Sequence, residues 1–70
     1  MYQHIYARTP AGTFEFCLRR LSRKMRVYYS PYPGSKFYEV PSPMVKIMAL
    51  ADTPEQAMAL LRAEGHALPV

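Results

Sequence analysis

TFEFCLRRLSRKM, residues 13–25, is the stretch whose reading decides the fold. At the helical step of about 100° per residue, Phe14, Cys17, Leu18, Leu21 and Met25 fall on one apolar stripe. Arg19, Arg20, Arg23 and Lys24 fall outside that stripe, as the wet side of an amphipathic helix would. Thr13 suits an N-cap, Glu15 suits the positive end of the helix dipole, and the cations suit the negative end. Phe16 alone spoils the pattern. The rival reading is a strand in which Phe14, Phe16 and Leu18 share a face and Thr9-Pro10-Ala11-Gly12 close a hairpin with the segment before it. The helix is the preferred expectation.

On the N-terminal side, YQHIYAR (residues 2–8) is rich in aromatic and β-branched residues and stops at turn chemistry, which predicts a strand. Side chains alternate across a strand, so Ile5 faces one side while Tyr2, His4 and Tyr6 face the other. On the C-terminal side, RVYYSPYPGSKFYEV (residues 26–40) places two β-prone segments around a Ser-Pro-Tyr-Pro-Gly-Ser turn, predicting a hairpin with strands near 26–30 and 36–40. Pro41 and Pro43 interrupt the chain, and VKIMALA at 45–51 reads as a buried strand. Thr53-Pro54-Glu55-Gln56 then supplies an N-cap hydroxyl, a proline at the first helical position and a glutamine that can reach back. A helix is expected from there to a C-terminal glycine at Gly65, with residues 66–70 as a frayed tail. The expected architecture is a single α+β domain over residues 1–70, in two layers. It has an antiparallel sheet of three to four strands with one or two helices on one face, in the order β-α-β-β-β-α.

Seventy residues make one core, because a chain this short buries only about 60% of its unfolded surface. Nine Lys and Arg against five Asp and Glu leave a formal charge of +4, which favours acidic partners. Cys17 is the only cysteine, so an intramolecular disulfide is excluded and the reducing cytoplasm is the expected location. No apolar run approaches the roughly 20 residues of a membrane span, and MYQHIYARTP lacks the pattern of a signal peptide.

Catalytic chemistry is not expected. There is no G-x-S-x-G, Walker loop or H-E-x-x-H, and Asp52 and Glu55 are accounted for by the cap of the last helix. Cys17 on an apolar stripe reads as an inert thiol. His4 and His66 lie near opposite ends and would join Cys17 in a metal set only through the folding of the chain, so neither a metal nor a cofactor is expected. Met44, Met48 and Met58 could form an adaptable binding surface or fill the core, and core filling is the expectation.

The remaining feature is a basic, tyrosine-rich surface: Arg19, Arg20, Arg23, Lys24 and Arg26, with Tyr28, Tyr29, Tyr32 and Tyr38 nearby. Guanidinium groups hold carboxylates or phosphates, tyrosines stack on bases, and both residue types anchor protein interfaces. The partner-binding set is therefore expected to be Arg19, Arg20, Arg23, Lys24, Arg26, Tyr28, Tyr29 and Tyr32.

Two families invite comparison. The expected order of helix, three strands and helix over residues 14–64 is that of double-stranded RNA-binding domains. Their last helix starts with lysines, whereas here Asp52-Thr53-Pro54-Glu55 would repel phosphates. FYEVPSPMVKIMALADTPEQAMALL, residues 37–61, resembles the strand-to-helix passage of HicB-type antitoxins in its Val-Pro, its Asp-Thr-Pro-Glu and the alanine that follows. That resemblance implies a sheet-based module that binds another protein. The functional expectation is a non-catalytic small regulator of a larger protein or assembly. Accessory proteins, antitoxin-like modules and phage-type modulators of the transcription machinery belong to this class. The alternative is direct binding of DNA or RNA by the same face.

Overall fold

The computed structural model describes residues 2–22 and 24–63. Four strands, β1 (Tyr2–Thr9), β2 (Gly12–Arg19), β3 (Met25–Ser30) and β4 (Tyr38–Val40), are followed by two helices, α1 (Ser42–Ala49) and α2 (Pro54–Ala63). The strands form one antiparallel meander in the order β1-β2-β3-β4. The α+β class holds, but the order is β-β-β-β-α-α rather than β-α-β-β-β-α. Both departures have identifiable causes.

Residues 14–25 are not a helix. The turn before them joins them to β1 as a hairpin: Thr9 pairs with Gly12, and the Thr9 hydroxyl accepts the Ala11 N–H at 3.1 Å. From that turn the chain alternates, with Phe14, Phe16 and Leu18 on one face and Glu15, Cys17 and Arg19 on the other. Phe16, the exception to the helical pattern, is thereby accommodated and packs against the core. Leu21, which the helical stripe would have buried, sits 94% exposed in the turn to β3. Arg19 N–H donates to the Lys24 carbonyl at 3.1 Å and closes that turn.

Residues 45–49 belong to α1, not to a strand. Pro43 stands in the first turn of this helix, where a fixed φ is already suitable and an N–H is not needed. Met44 and Met48, four residues apart, are buried, while Lys46 and Ile47 are exposed, which is a helical and not an alternating pattern. α2 begins as expected, with the Thr53 hydroxyl accepting the Gln56 N–H at 3.2 Å. Gln56 reaches back one residue further than a standard capping box, its Oε1 accepting from the Asp52 N–H at 3.0 Å. The expected end at Gly65 and the tail 66–70 lie outside the described residues.

Both helices cover the same sheet face. Phe14, Val27, Tyr29 and Val40 from the strands meet Met44, Met48, Ala57, Met58 and Leu61 from the helices in one buried cluster. Core filling thus accounts for all three helical methionines. At the centre Phe14 and Tyr29, paired across β2 and β3, hold ring centroids 4.8 Å apart with a 36° tilt.

The Tyr29 hydroxyl donates to the buried Ala11 carbonyl in the β1–β2 turn. Burial, reinforced by the charges of Tyr32 and Glu55, pushes this phenol from 10.0 up to about 12. A raised folded-state value stabilises the fold while the phenol is neutral, fully below pH 10 and progressively less as the pH climbs through about 12. Tyr29→Phe is expected to cost about 1–3 kcal/mol at neutral pH, because Ala11 loses its partner. It should also flatten the alkaline loss of stability. Urea denaturation of both proteins between pH 10 and about 12 checks this, and parallel pH curves would refute it.

The β3–β4 loop turns at Tyr32-Pro33-Gly34-Ser35, where Ser35 N–H donates to the Tyr32 carbonyl at 3.0 Å and Gly34 has φ +78°. This is a type II turn, with proline and glycine at the positions that need them. Buried Ser30 anchors the loop, its hydroxyl 2.7 Å from that of Ser35. Among the described residues no helix is long and apolar enough to cross a membrane.

Candidate interaction face

Covering one sheet face with helices leaves the other open among the described residues. Side chains on the open face form transverse rows set by the strand register. One row runs across all four strands as Tyr6, Glu15, Tyr28 and Glu39. The next is His4, Cys17 and Arg26, and beyond it lie Tyr2 and Arg19. Arg8 stands at the far end beside Thr13.

Tyr2, His4, Glu15, Cys17, Arg19, Lys24, Arg26 and Tyr28 line a solvent-open depression of about 520 Å³. Tyr2 and Tyr6 on the edge strand expose 57% and 60% of their surface, so their rings are available for contact. The Arg19 guanidinium carbon lies 5.9 Å from the Tyr2 ring centroid, a cation–π arrangement that orients both groups. Arg19, Lys24 and Arg26 gather at one end of the face, while Glu15 and Glu39 sit in the middle row. Hydrogen bonding to Glu15 pushes the Tyr6 phenol above its ordinary value. Hydrogen bonding to Tyr28, with the charges of Tyr28 and Glu39, raises Arg26. The Cys17 thiol is pushed up first by desolvation and then by the charge of Glu15, the opposite of an activated nucleophile.

The structure redistributes the residues expected to bind a partner. Arg19, Lys24, Arg26 and Tyr28 do share a surface, but it is the open sheet face rather than a helix flank. Arg20 is exposed in the β2–β3 turn next to it. Arg23 lies outside the described residues. Tyr29 is buried in the core and is removed from the set, because β3 alternation points it opposite to Tyr28. Tyr38 is half-buried on the core side for the same reason. Tyr32 follows the far end of β3, a strand roughly 17 Å long from Met25 to Ser30, whereas Lys24 precedes its near end. There its hydroxyl donates to Glu55 at 2.8 Å, which lowers Glu55 and raises Tyr32. It links the β3–β4 loop to α2 and stands apart from the depression.

Sequence reasoning missed the contribution of β1. Strand alternation puts Tyr2, His4 and Tyr6 together on one side, but only the β1–β2 hairpin brings that side against Glu15, Cys17 and Arg19. The signal was the hairpin arithmetic of the Thr9–Gly12 turn, which sets His4 opposite Cys17. Comparison of the chain with protein-family models, with curated proteins and with solved structures finds no match.

Proposed function

We infer that the protein is a non-catalytic regulator that docks on a larger protein through the open face of its sheet. The observation that carries this reading is the ordering of charge and rings on that face. Tyrosines and carboxylates alternate along the row Tyr6, Glu15, Tyr28 and Glu39, beside a cationic end of Arg19, Lys24 and Arg26. A face of this kind complements a protein surface that is acidic at one end and carries donors or cations at the centre. Tyr also supplies contact area with little loss of side-chain freedom, and Arg supplies charge-assisted hydrogen bonds. The raised Cys17 thiol argues against a cysteine nucleophile on this face.

Nucleic-acid binding is the second reading, favoured by three rings, those of Tyr2, Tyr6 and Tyr28, on one open sheet. Glu15 and Glu39 oppose it, because a strand stacked on Tyr6 and Tyr28 would bring its phosphates beside two carboxylates.

Arg19→Glu combined with Arg26→Glu is expected to reduce capture of the partner from native lysate by at least about tenfold, with nuclease treatment making no difference. Undiminished capture by the double variant would remove the cationic end from the account. Capture abolished by nuclease, together with binding to mixed-sequence DNA or RNA that falls steeply with salt, would replace the first reading by the second.

A further inference from the structure

We propose that His4, Glu15 and Cys17 form a three-ligand site for a zinc-class divalent transition metal on the open sheet face. This does not rest on the docking reading, because it follows from the donor atoms alone. His4 and Cys17 are opposite one another across β1 and β2, and Glu15 is two residues before Cys17 on the same face. Two positions two apart on one strand and their cross-strand neighbour converge three side chains without any loop.

The donor atoms are already gathered. His4 Nδ1 lies 3.0 Å from Glu15 Oε2 and 3.3 Å from Cys17 Sγ, and the three ligand atoms lie within 4.8 Å of one another. Tetrahedral zinc with its usual bond lengths sets N···O and N···S edges at roughly 3.4 and 3.5 Å. The two contacts to His4 open by a few tenths of an ångström to admit an ion, while the Glu15 and Cys17 donors, within 4.8 Å of each other, come to the roughly 3.6 Å of an O···S edge by side-chain rotation. His4 is exposed, and Glu15 and Cys17 are half-buried on the open face.

The chemistry of the set is selective. Imidazole nitrogen, carboxylate oxygen and thiolate sulfur together suit a borderline-soft ion, whereas calcium and magnesium take oxygen ligands in larger number. With the Cys17 proton released to solvent, thiolate and carboxylate neutralise a divalent charge. Arg19, Lys24 and Arg26, which line the same depression, then face a neutral centre rather than a cation. Three protein ligands leave a fourth tetrahedral position directed to solvent, on the face where Tyr2 and Tyr28 stand.

The test uses the full chain without an affinity tag, reduced with a phosphine, titrated with cobalt(II) and with zinc. One ion per chain is expected. Cobalt should give tetrahedral ligand-field bands and a thiolate-to-cobalt charge-transfer band, and zinc should displace it. His4→Ala and Cys17→Ser should each weaken zinc binding by at least about tenfold, and Cys17→Ser should also abolish the charge-transfer band. His66→Ala, which removes the other imidazole of the chain, should leave both unchanged. All variants are compared by circular dichroism, and a rise in melting temperature on adding zinc to the wild type gives a second readout. Absence of the charge-transfer band, or zinc affinity that survives Cys17→Ser, would overturn the site. So would loss of binding in His66→Ala with retention in His4→Ala.

Discussion

Phe14→Ala is expected to cost about 4 kcal/mol, which is enough to bring the protein to about its unfolding midpoint at room temperature. The ring is 1% exposed, pairs with Tyr29 across the strands, and touches the layer of helical methionines and leucines. Removing it deletes the transfer free energy of a benzyl group and leaves a cavity that strands held by their ladders cannot collapse around. A chain of 70 residues has little reserve, since a core of this size supplies roughly 3–5 kcal/mol in all. The control is Leu21→Ala, which a helix through 14–25 would make comparably damaging. With Leu21 94% exposed in a turn, its loss is expected to change stability by less than about 0.5 kcal/mol. Circular dichroism of Phe14→Ala without denaturant, and urea denaturation of Leu21→Ala against the wild type, read the two effects, and comparable destabilisation would mean that residues 14–25 are not strand and turn.

Gly12→Ala is the second large effect, at about 3 kcal/mol. Gly12 has φ +138°, a backbone conformation that side chains other than glycine's rarely adopt. A methyl group there would lie 2.5 Å from the Ser30 carbonyl oxygen, 2.9 Å from Tyr29 Cε1 and 3.0 Å from Pro31 Cα. Two of those three atoms are backbone, so the clash is relieved only by moving the start of β2 away from the end of β3. The hydrogen bond from Tyr29 to Ala11 is carried by the same turn and would weaken with it. Gly34→Ala is the informative comparison, because its φ of +78° is also positive but nothing lies within 4 Å of the added carbon. It is expected to cost about 1 kcal/mol from backbone conformation alone. Equal melting temperatures for the two variants would contradict the close approach at Gly12.

The parts of the fold that were legible in the sequence are those where local chemistry and tertiary environment agree. Thr53-Pro54 starts a helix whatever it packs on, and Pro33-Gly34 turns a chain between two β-prone segments. The stretch TFEFCLRRLSRKM failed because two periods fit it at once. Phe14 and Leu18 are four apart and also share strand parity, so they are inward in either reading. Only Phe16 favours the strand, while Cys17, Leu21 and Met25 complete the helical stripe, and a strand and turn tolerate their exposure. VKIMALA failed for the complementary reason: a short, continuously apolar run carries no period, and Pro43 served as a helix start rather than a break.

The candidate face was legible as composition and illegible as position. Arg19, Lys24, Arg26 and Tyr28 are on it, but half of each strand must point inward, and that parity removed Tyr29 and Tyr38. Once residues 14–19 are a strand, Tyr2, His4, Glu15 and Cys17 join by register, and the three-donor cluster follows.

The most direct test of the central claim, that this protein acts through the open face of its sheet, is site-specific photo-crosslinking in native lysate. A photoreactive phenylalanine analogue replaces Tyr6 on the open face in one protein and Leu50, 81% exposed beside the helices, in another. The account predicts a nuclease-resistant protein adduct from position 6 and none from position 50. An adduct from position 50 with none from position 6 would place the docking surface on the helical side and contradict it.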